Sequence, residues 1–382
     1  MSDSRPCWYA FSASRSPRAA ARCASRRARS FSRCAAAAAL RCASARRCCS
    51  RCASASTDHT PEDRRRATPA PPTSKTVRKG NSLPCRRGPG SPAAVPWPDT
   101  PDAHGSGTRD GRPSMSHTTV NGATLHYDET GPADGTPVVL VHGHPFNRTL
   151  WDPQVRALAA AGYRAITFDL RGYGESGVTP GKVLLADFAD DTAALLDHLG
   201  VERAVVGGVS MGGQIAMEFH LRHPERVLAL VLSDSSAPAE TEEGKAFRNR
   251  MADRLLAEGM AGYADEVIDK MLAPYNVTAL PDTAARVLAM MRDTDPRGAA
   301  AALRGRAERP DYRDTLRTVT VPTLLLVGAD DVYTPVADSE AVRALVPHAD
   351  LTVVPDAGHL PGAEQPERFN AALLDFLRTR LS

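Results

Sequence analysis

The chain has 382 residues, 47 Lys and Arg against 44 Asp and Glu, a formal net charge of +3 and 42% hydrophobic residues. Its near-neutral total hides two unlike pieces: residues 1–114 carry 22 basic against 7 acidic side chains, and residues 115–382 carry 25 against 37. No apolar run approaches the roughly 18 residues that cross a bilayer, and aromatics interleaved with the basic residues, as a nucleic-acid surface needs, are nearly absent after Tyr9 and Phe11.

Residues 1–114, built from Ala, Arg, Ser, Cys and Pro, show neither strand nor helix period and are predicted to be disordered. All eight cysteines (Cys7, Cys23, Cys34, Cys42, Cys48, Cys49, Cys52 and Cys85) lie in this piece. CCSRC and the irregular spacings elsewhere match no paired zinc frame, so no metal is expected. The Arg- and Ser-rich beginning has the composition of an organellar targeting segment. The preferred reading is an over-extended gene model, because MSHTTVNGATLHYDETG from Met115 reads as a natural start. Residues 115–382, free of cysteine, are then the folded domain, expected in the cytoplasm.

From Met115 the elements follow in order. VNGATLHYDETG (120–131) is an opening hairpin with Asn121-Gly122 as its turn. Short apolar runs at 136–143, 163–170, 203–210, 227–234, 323–330 and 351–358 end in Gly, Ser, Asp or Leu. Their continuous hydrophobicity predicts strands covered on both faces, as in a parallel sheet. WDPQVRALAAAG and DFADDTAALLDHLG are helices that stop at Gly162 and Gly200. GQIAMEFHLRHP follows Ser210 as a helix, and PERFNAALLDFLRTRLS closes the chain as another. Residues 238–317 interrupt this rhythm with a mainly helical segment. Met251, Leu255, Leu256, Met260, Val267, Met271 and Leu272 fall on its apolar faces, as core or as the lining of an acyl pocket. The expected fold is α/β, a mostly parallel central sheet with helices on both faces and a small helical cap.

Gly208-Val209-Ser210-Met211-Gly212 matches G-x-S-x-G between a strand and a helix, the context in which a nucleophilic serine stands on a tight turn. A serine needs a base, and the base an orienting acid. LLLVGADDVYTP offers Asp330 and Asp331 just past a strand, VVPDAGHLPGAEQPE offers His359 just past the last one, and Asp234 follows an earlier strand. Gly172 to Gly177 satisfies G-x-G-x-x-G after a strand, but Val178-Thr179-Pro180-Gly181 continues as loop, so no helix end is placed for a pyrophosphate and no cofactor is expected.

These segments together resemble the α/β-hydrolase family over residues 120–382. LVHGHPFNRTLWDPQ resembles its oxyanion-hole stretch, FDLRGYGES the turn after the next strand, GVSMGG the nucleophile elbow, VGADDVYTP the acid loop and DAGHLPGAEQPERF the histidine loop. The resemblance implies Ser210, Asp331 and His359 as catalytic triad, with the backbone amides of Met211 and His144 as oxyanion donors. Asp330 and Asp234 are the other candidates for the acid. It implies that His142 braces its loop, and leaves the His144 imidazole either lining the pocket or meeting a polar substrate. The cap and the stretch running on to TVPTLLL resemble the small-cap group that contains 3-oxoadipate enol-lactonases and related esterases, although HGHPF stands where those enzymes carry a serine-rich stretch. Arg304, Arg306, Arg309 and Arg313 either receive a substrate carboxylate or form a solvated face.

The implied function is a serine esterase or lactonase acting on a small-molecule ester or lactone. Its triad is shared by cofactor-free haloperoxidases and its fold by non-catalytic ligand-binding proteins. Serine at position 210 argues against the aspartate-nucleophile dehalogenases and epoxide hydrolases. Neither a nucleic acid nor a membrane is an expected partner, and assembly into a homo-oligomer is left open.

Overall fold

The computed structural model describes residues 116–381; the reading of residues 1–114 lies outside them. β1 (Ser116–Val120) and β2 (Ala123–Thr130) form the hairpin, with Asn121 and Gly122 both at positive φ, 48° and 74°. These are the signs a tight hairpin turn demands, which is why Asn-Gly occupies it. β3 (Pro137–Val141), β4 (Arg164–Phe168), β5 (Ala204–Val209), β6 (Val227–Ser233), β7 (Thr323–Gly328) and β8 (Asp350–Val354) complete one eight-stranded sheet. Its order is β1-β2-β4-β3-β5-β6-β7-β8. Only the β1–β2 and β2–β4 pairs are antiparallel.

Twelve helices of α type accompany the strands among the described residues. The first three are α1 (Asp152–Ala160), α2 (Leu185–His198) and α3 (Met211–Arg222). Between β6 and β7 lie α4 (Glu242–Glu258), α5 (Ala261–Met271), α6 (Pro274–Ala279), α7 (Pro281–Asp293), α8 (Pro296–Arg306) and α9 (Arg313–Arg317). α10 (Val336–Leu345), α11 (Pro361–Glu364) and α12 (Pro366–Arg380) follow. None is long and apolar enough to cross a membrane.

The unbroken apolar runs are explained by which face each residue takes. Val139, Val141, Val206 and Leu230 join the core shared with Phe188 of α2 and Phe219 of α3. Their neighbours Val138, Leu140, Val205 and Val231 join the opposite core with Leu158 of α1 and Phe369 and Leu373 of α12. Alternate side chains of a strand point to opposite faces, so a strand buried twice shows no alternation. Each such Val or Leu removed from water contributes about 1.5–3 kcal/mol. α1 and α2 are each followed by a glycine at positive φ, Gly162 (86°) and Gly200 (65°).

The insertion after β6 keeps its own small core. Ala252 and Leu255 of α4 meet Met260 and Ala299, Ala300 and Leu303 of α8. Val267, Met271 and Leu272 are buried against Met290, Met291 and the sheet-side core. These methionines are therefore packing residues. Leu256 departs from the expected pattern and is 45% exposed. It lies one residue beyond Leu255, and so about 100° round the helix from the buried face.

β3, β5, β6 and β7 run parallel, so the loops leaving their carboxyl ends share one edge of the sheet. The chain passes from β3 to β4 on one side and then to β5 on the other. The crevice between β3 and β5 is the place where open α/β sheets bind ligands.

Candidate active site

Ser210 follows β5 directly and precedes α3. Its φ and ψ of 56° and −116° are unusual for a residue with a side chain, a strain costing on the order of 1–3 kcal/mol that surrounding bonds must hold. The Ser210 amide donates to Ser233 O (2.9 Å), and its carbonyl accepts from the Gln214 amide (3.2 Å) and Ser235 Oγ (2.7 Å). The flanking glycines are required by space. A Cβ on Gly208 would stand 2.2 Å from the Gly212 carbonyl carbon, and one on Gly212 would stand 2.1 Å from Val141 O. The serine hydroxyl is thereby lifted to the sheet edge, 5% exposed, at the amino end of α3, where backbone N–H groups have no partner within the helix.

Asp331 and His359 come from two further strand ends. His359 Nδ1 and Asp331 Oδ2 are 2.8 Å apart. Asp331 also accepts from Thr334 Oγ1 at Oδ2 (2.7 Å) and from the Tyr333 amide at Oδ1 (2.8 Å). Burial pushes the Asp331 pKa up, but the hydrogen bond and charge of His359, with the Thr334 donors, outweigh it and hold the carboxyl below its ordinary value. Asp330 points elsewhere: it is exposed and accepts from Tyr275 Oη at 2.5 Å.

Asp234 is fully buried beside the pair, and ligand atoms of Asp234, Asp331 and His359 lie within 4.8 Å of one another. It accepts from Ser233 Oγ (2.5 Å) and the Gly328 amide (2.9 Å). Burial and the neighbouring Asp331 charge hold its pKa well above the carboxylate range. A cation would find the Asp331 oxygens already engaged by Thr334, Tyr333 and His359.

No hydrogen bond joins Ser210 Oγ to His359 among the described residues. Catalytic bonds of this kind often tighten only around substrate. Val209 and Leu360, the residues beside Ser210 and His359 in the chain, line one small cavity with Ser233.

The β3 loop closes the other side. A Cβ on Gly143 would lie 2.9 Å from Val209 O and 3.3 Å from Ser210 Cβ, so this loop rests directly against the Ser210 turn. His142 Nε2 accepts the Leu170 amide at 3.0 Å, which puts the proton on Nδ1, 2.9 Å from Gly143 O. It is a brace between β3 and β4, kept below its ordinary pKa by burial. Arg148, on the turn after His144, donates to Asp128 and Asp169 at 2.7 and 2.6 Å and pairs with Glu175, fixing the same loop. His144 is 5% exposed. Its Nδ1 is 2.8 Å from Tyr173 Oη, and its Nε2 is buried without a partner. Burial first, then the charges of Arg306 and Arg248, lower its pKa well below the ordinary value.

The four arginines do not share one environment. Arg304 and Arg313 pair at the surface with Asp253 and Asp311. Arg309 is buried and binds Glu240 at 2.7 Å and Pro238 O at 3.0 Å. Arg306 reaches inward and donates from Nε to Gln214 Oε1 at 2.8 Å. Of the polar residues around the crevice, the sequence reading passed over Tyr173, Gln214, Arg248 and Thr334. Only Thr334 carried a local signal, an hydroxyl three residues after an aspartate before a proline.

The sequence model that describes the alpha/beta hydrolase fold matches residues 136–366. The chain belongs to the α/β-hydrolase family. A thermophilic esterase from Thermogutta terrifontis, solved with malate bound, is 39% identical with a TM-score of 0.67, covering 70% of this chain and 98% of that one. 3-Oxoadipate enol-lactonase 1 of Acinetobacter baylyi is 29% identical over 266 residues, 70% of this chain and 97% of the relative. The enol-lactonase from Burkholderia xenovorans LB400 is 26% identical with a TM-score of 0.65, covering 69% of this chain and all of that one. This α/β-hydrolase thus spans nearly the whole length of relatives that are esterases and enol-lactonases.

Proposed function

We propose that this α/β-hydrolase cleaves a small carboxylic ester or lactone through an acyl-serine, without a cofactor. Ser210 Oγ attacks the carbonyl carbon while His359 Nε2 takes its proton. Asp331 holds the Nδ1–H and stabilises the imidazolium. The Met211 and His144 amides receive the oxyanion, a contribution of roughly 2.7–4 kcal/mol per donor in a measured case. The imidazolium then protonates the leaving alcohol, and water activated by the neutral imidazole releases the acid. The helices between β6 and β7 act as the cap over the acyl group, and the substrate is a small molecule reached from solution.

The observation that carries this reading is the 2.8 Å Asp331–His359 pair at the same sheet edge as a serine held at φ 56° between two obligatory glycines. Esterases and an enol-lactonase among the relatives support it. A fluorophosphonate probe on the intact protein, with peptide mapping, is expected to label Ser210. Ser210→Ala is expected to abolish turnover of methyl esters and lactones with the thermal melt preserved. Undiminished turnover by that variant refutes the assignment.

A further inference from the structure

The small cavity beside Val209 and Leu360 is walled by Trp151, just before α1, and by Gln154 on α1. Ser233 at the end of β6, and Gly362 and Phe369 beyond His359, line it too. It leaves about 10 Å³ for the centre of a water molecule, close to what one water requires. Two of the lining side chains carry polar atoms that no group among the described residues satisfies. Trp151 Nε1 is a donor without an acceptor, and Gln154 Oε1 an acceptor without a donor. The two side chains belong to residues 3% and 0% exposed, so bulk solvent does not reach either atom and only an enclosed molecule can pair with them.

Neighbouring bonds fix how these atoms point. Gln154 Nε2 donates to Gly362 O and to Asn370 Oδ1, both at 3.0 Å, so the amide cannot turn over to exchange its oxygen for its nitrogen. A Cβ on Gly362 would stand 3.4 Å from Gln154 Oε1, which places that oxygen beside a residue of the cavity wall. The Trp151 ring is held against Phe369, with centroids 6.2 Å apart. Ser233 supplies a third polar group. It follows Val231 by two residues and shares its side of the sheet, the side packed on α1 and α12. Its hydroxyl gives its one proton to Asp234 Oδ2 at 2.5 Å, and its oxygen keeps lone pairs with which to accept.

We infer that this cavity is a binding site for one ordered water, which accepts from Trp151 Nε1–H and donates to Gln154 Oε1 and Ser233 Oγ. A buried water typically makes about three such bonds, and here one donor and two acceptors use both of its protons. An apolar occupant would leave the indole N–H and the amide oxygen unmatched, the costly outcome for buried polar groups. The water ties the stretch that enters α1 to the end of β6. By donating to Ser233 Oγ it also keeps the hydroxyl proton on the Asp234 side, so the buried polar chain runs from Trp151 to the carboxyl beside Asp331 and His359. The site stands whether or not the hydrolase reading does.

A crystal structure of the full chain, at a resolution that orders internal waters, is expected to show one isolated density peak in the cavity. It should lie about 2.7–3.2 Å from Trp151 Nε1, Gln154 Oε1 and Ser233 Oγ. In solution, the Trp151 indole proton of protein carrying isotope-labelled tryptophan is expected to give a magnetic cross-peak to a long-lived water. Trp151→Phe assigns that signal among Trp8, Trp97 and Trp151 by its loss, and the crystal measurement needs no variant. A cavity without density overturns the inference, as does an indole proton that shows no transfer from water. A shift that joins Trp151 Nε1 directly to a protein acceptor overturns it as well, and a peak out of reach of Ser233 Oγ overturns the link to Asp234.

Discussion

Asp234 and Asp331 are two buried carboxyls whose environments push their pKa values in opposite directions, up for Asp234 and down for Asp331. A proton added to this pair goes to Asp234 and leaves the charge on Asp331, against His359. Asp331→Asn is therefore expected to lower kcat by about 10³–10⁴, whereas Asp330→Asn and Asp234→Asn stay within about tenfold of wild type in the same ester assay. The signs also give a stability test. A carboxyl whose folded pKa is raised is most favourable to the fold below its unfolded value, and that contribution fades as pH climbs through the folded one. Asp234→Asn, which cannot ionise, is expected to gain melting temperature relative to wild type as pH climbs through and above the ordinary carboxylate range. A constant difference across that range contradicts the raised pKa.

Strands and loops bring these residues together through a few buried polar links. Glu364 on α11 accepts from the Gly358 amide beside His359 and from the Ala273 amide and Asn276 Nδ2 of the insertion, each at 2.8 Å. It ties the histidine loop to the helices between β6 and β7. Glu364→Ala leaves two buried amides without an acceptor, each costing about 1–3 kcal/mol. A lower midpoint in urea, with a larger fractional loss of ester turnover than of Ser210 labelling, is the expected outcome, because loosening the loop moves the base more than the nucleophile. The hairpin, the parallel strands and the Gly162 and Gly200 helix stops were legible beforehand because each rests on local backbone rules. The partners of Glu364 were not, since nothing local pairs residue 364 with residues 273 and 276.

The relatives match about two thirds of the chain and are themselves matched almost end to end. We propose that residues 115–382 form the complete catalytic domain. Protein expressed from Met115 is expected to show kcat/KM within about twofold of the full chain on methyl esters, under the same conditions. A large loss on truncation argues that the basic, cysteine-rich first piece takes part. The charge contrast between the pieces, 22 basic against 7 acidic and then 25 against 37, means that their isoelectric behaviour separates on cleavage.

By itself the sequence determined the α/β architecture, the order in which Ser210, Asp331 and His359 follow their strands, and the glycines that flank Ser210. These depend on periodicity, turn chemistry and chain order, which a linear reading contains. Tertiary structure decided what chain neighbours could not. Asp330 faces Tyr275 while Asp331 faces His359, although the two are adjacent in the chain. Arg304 is paired at the surface while Arg306, on the same helix, turns toward Gln214. The charge and proton of each such group are set by what packs against it in space, and adjacency in the chain carries no information about that.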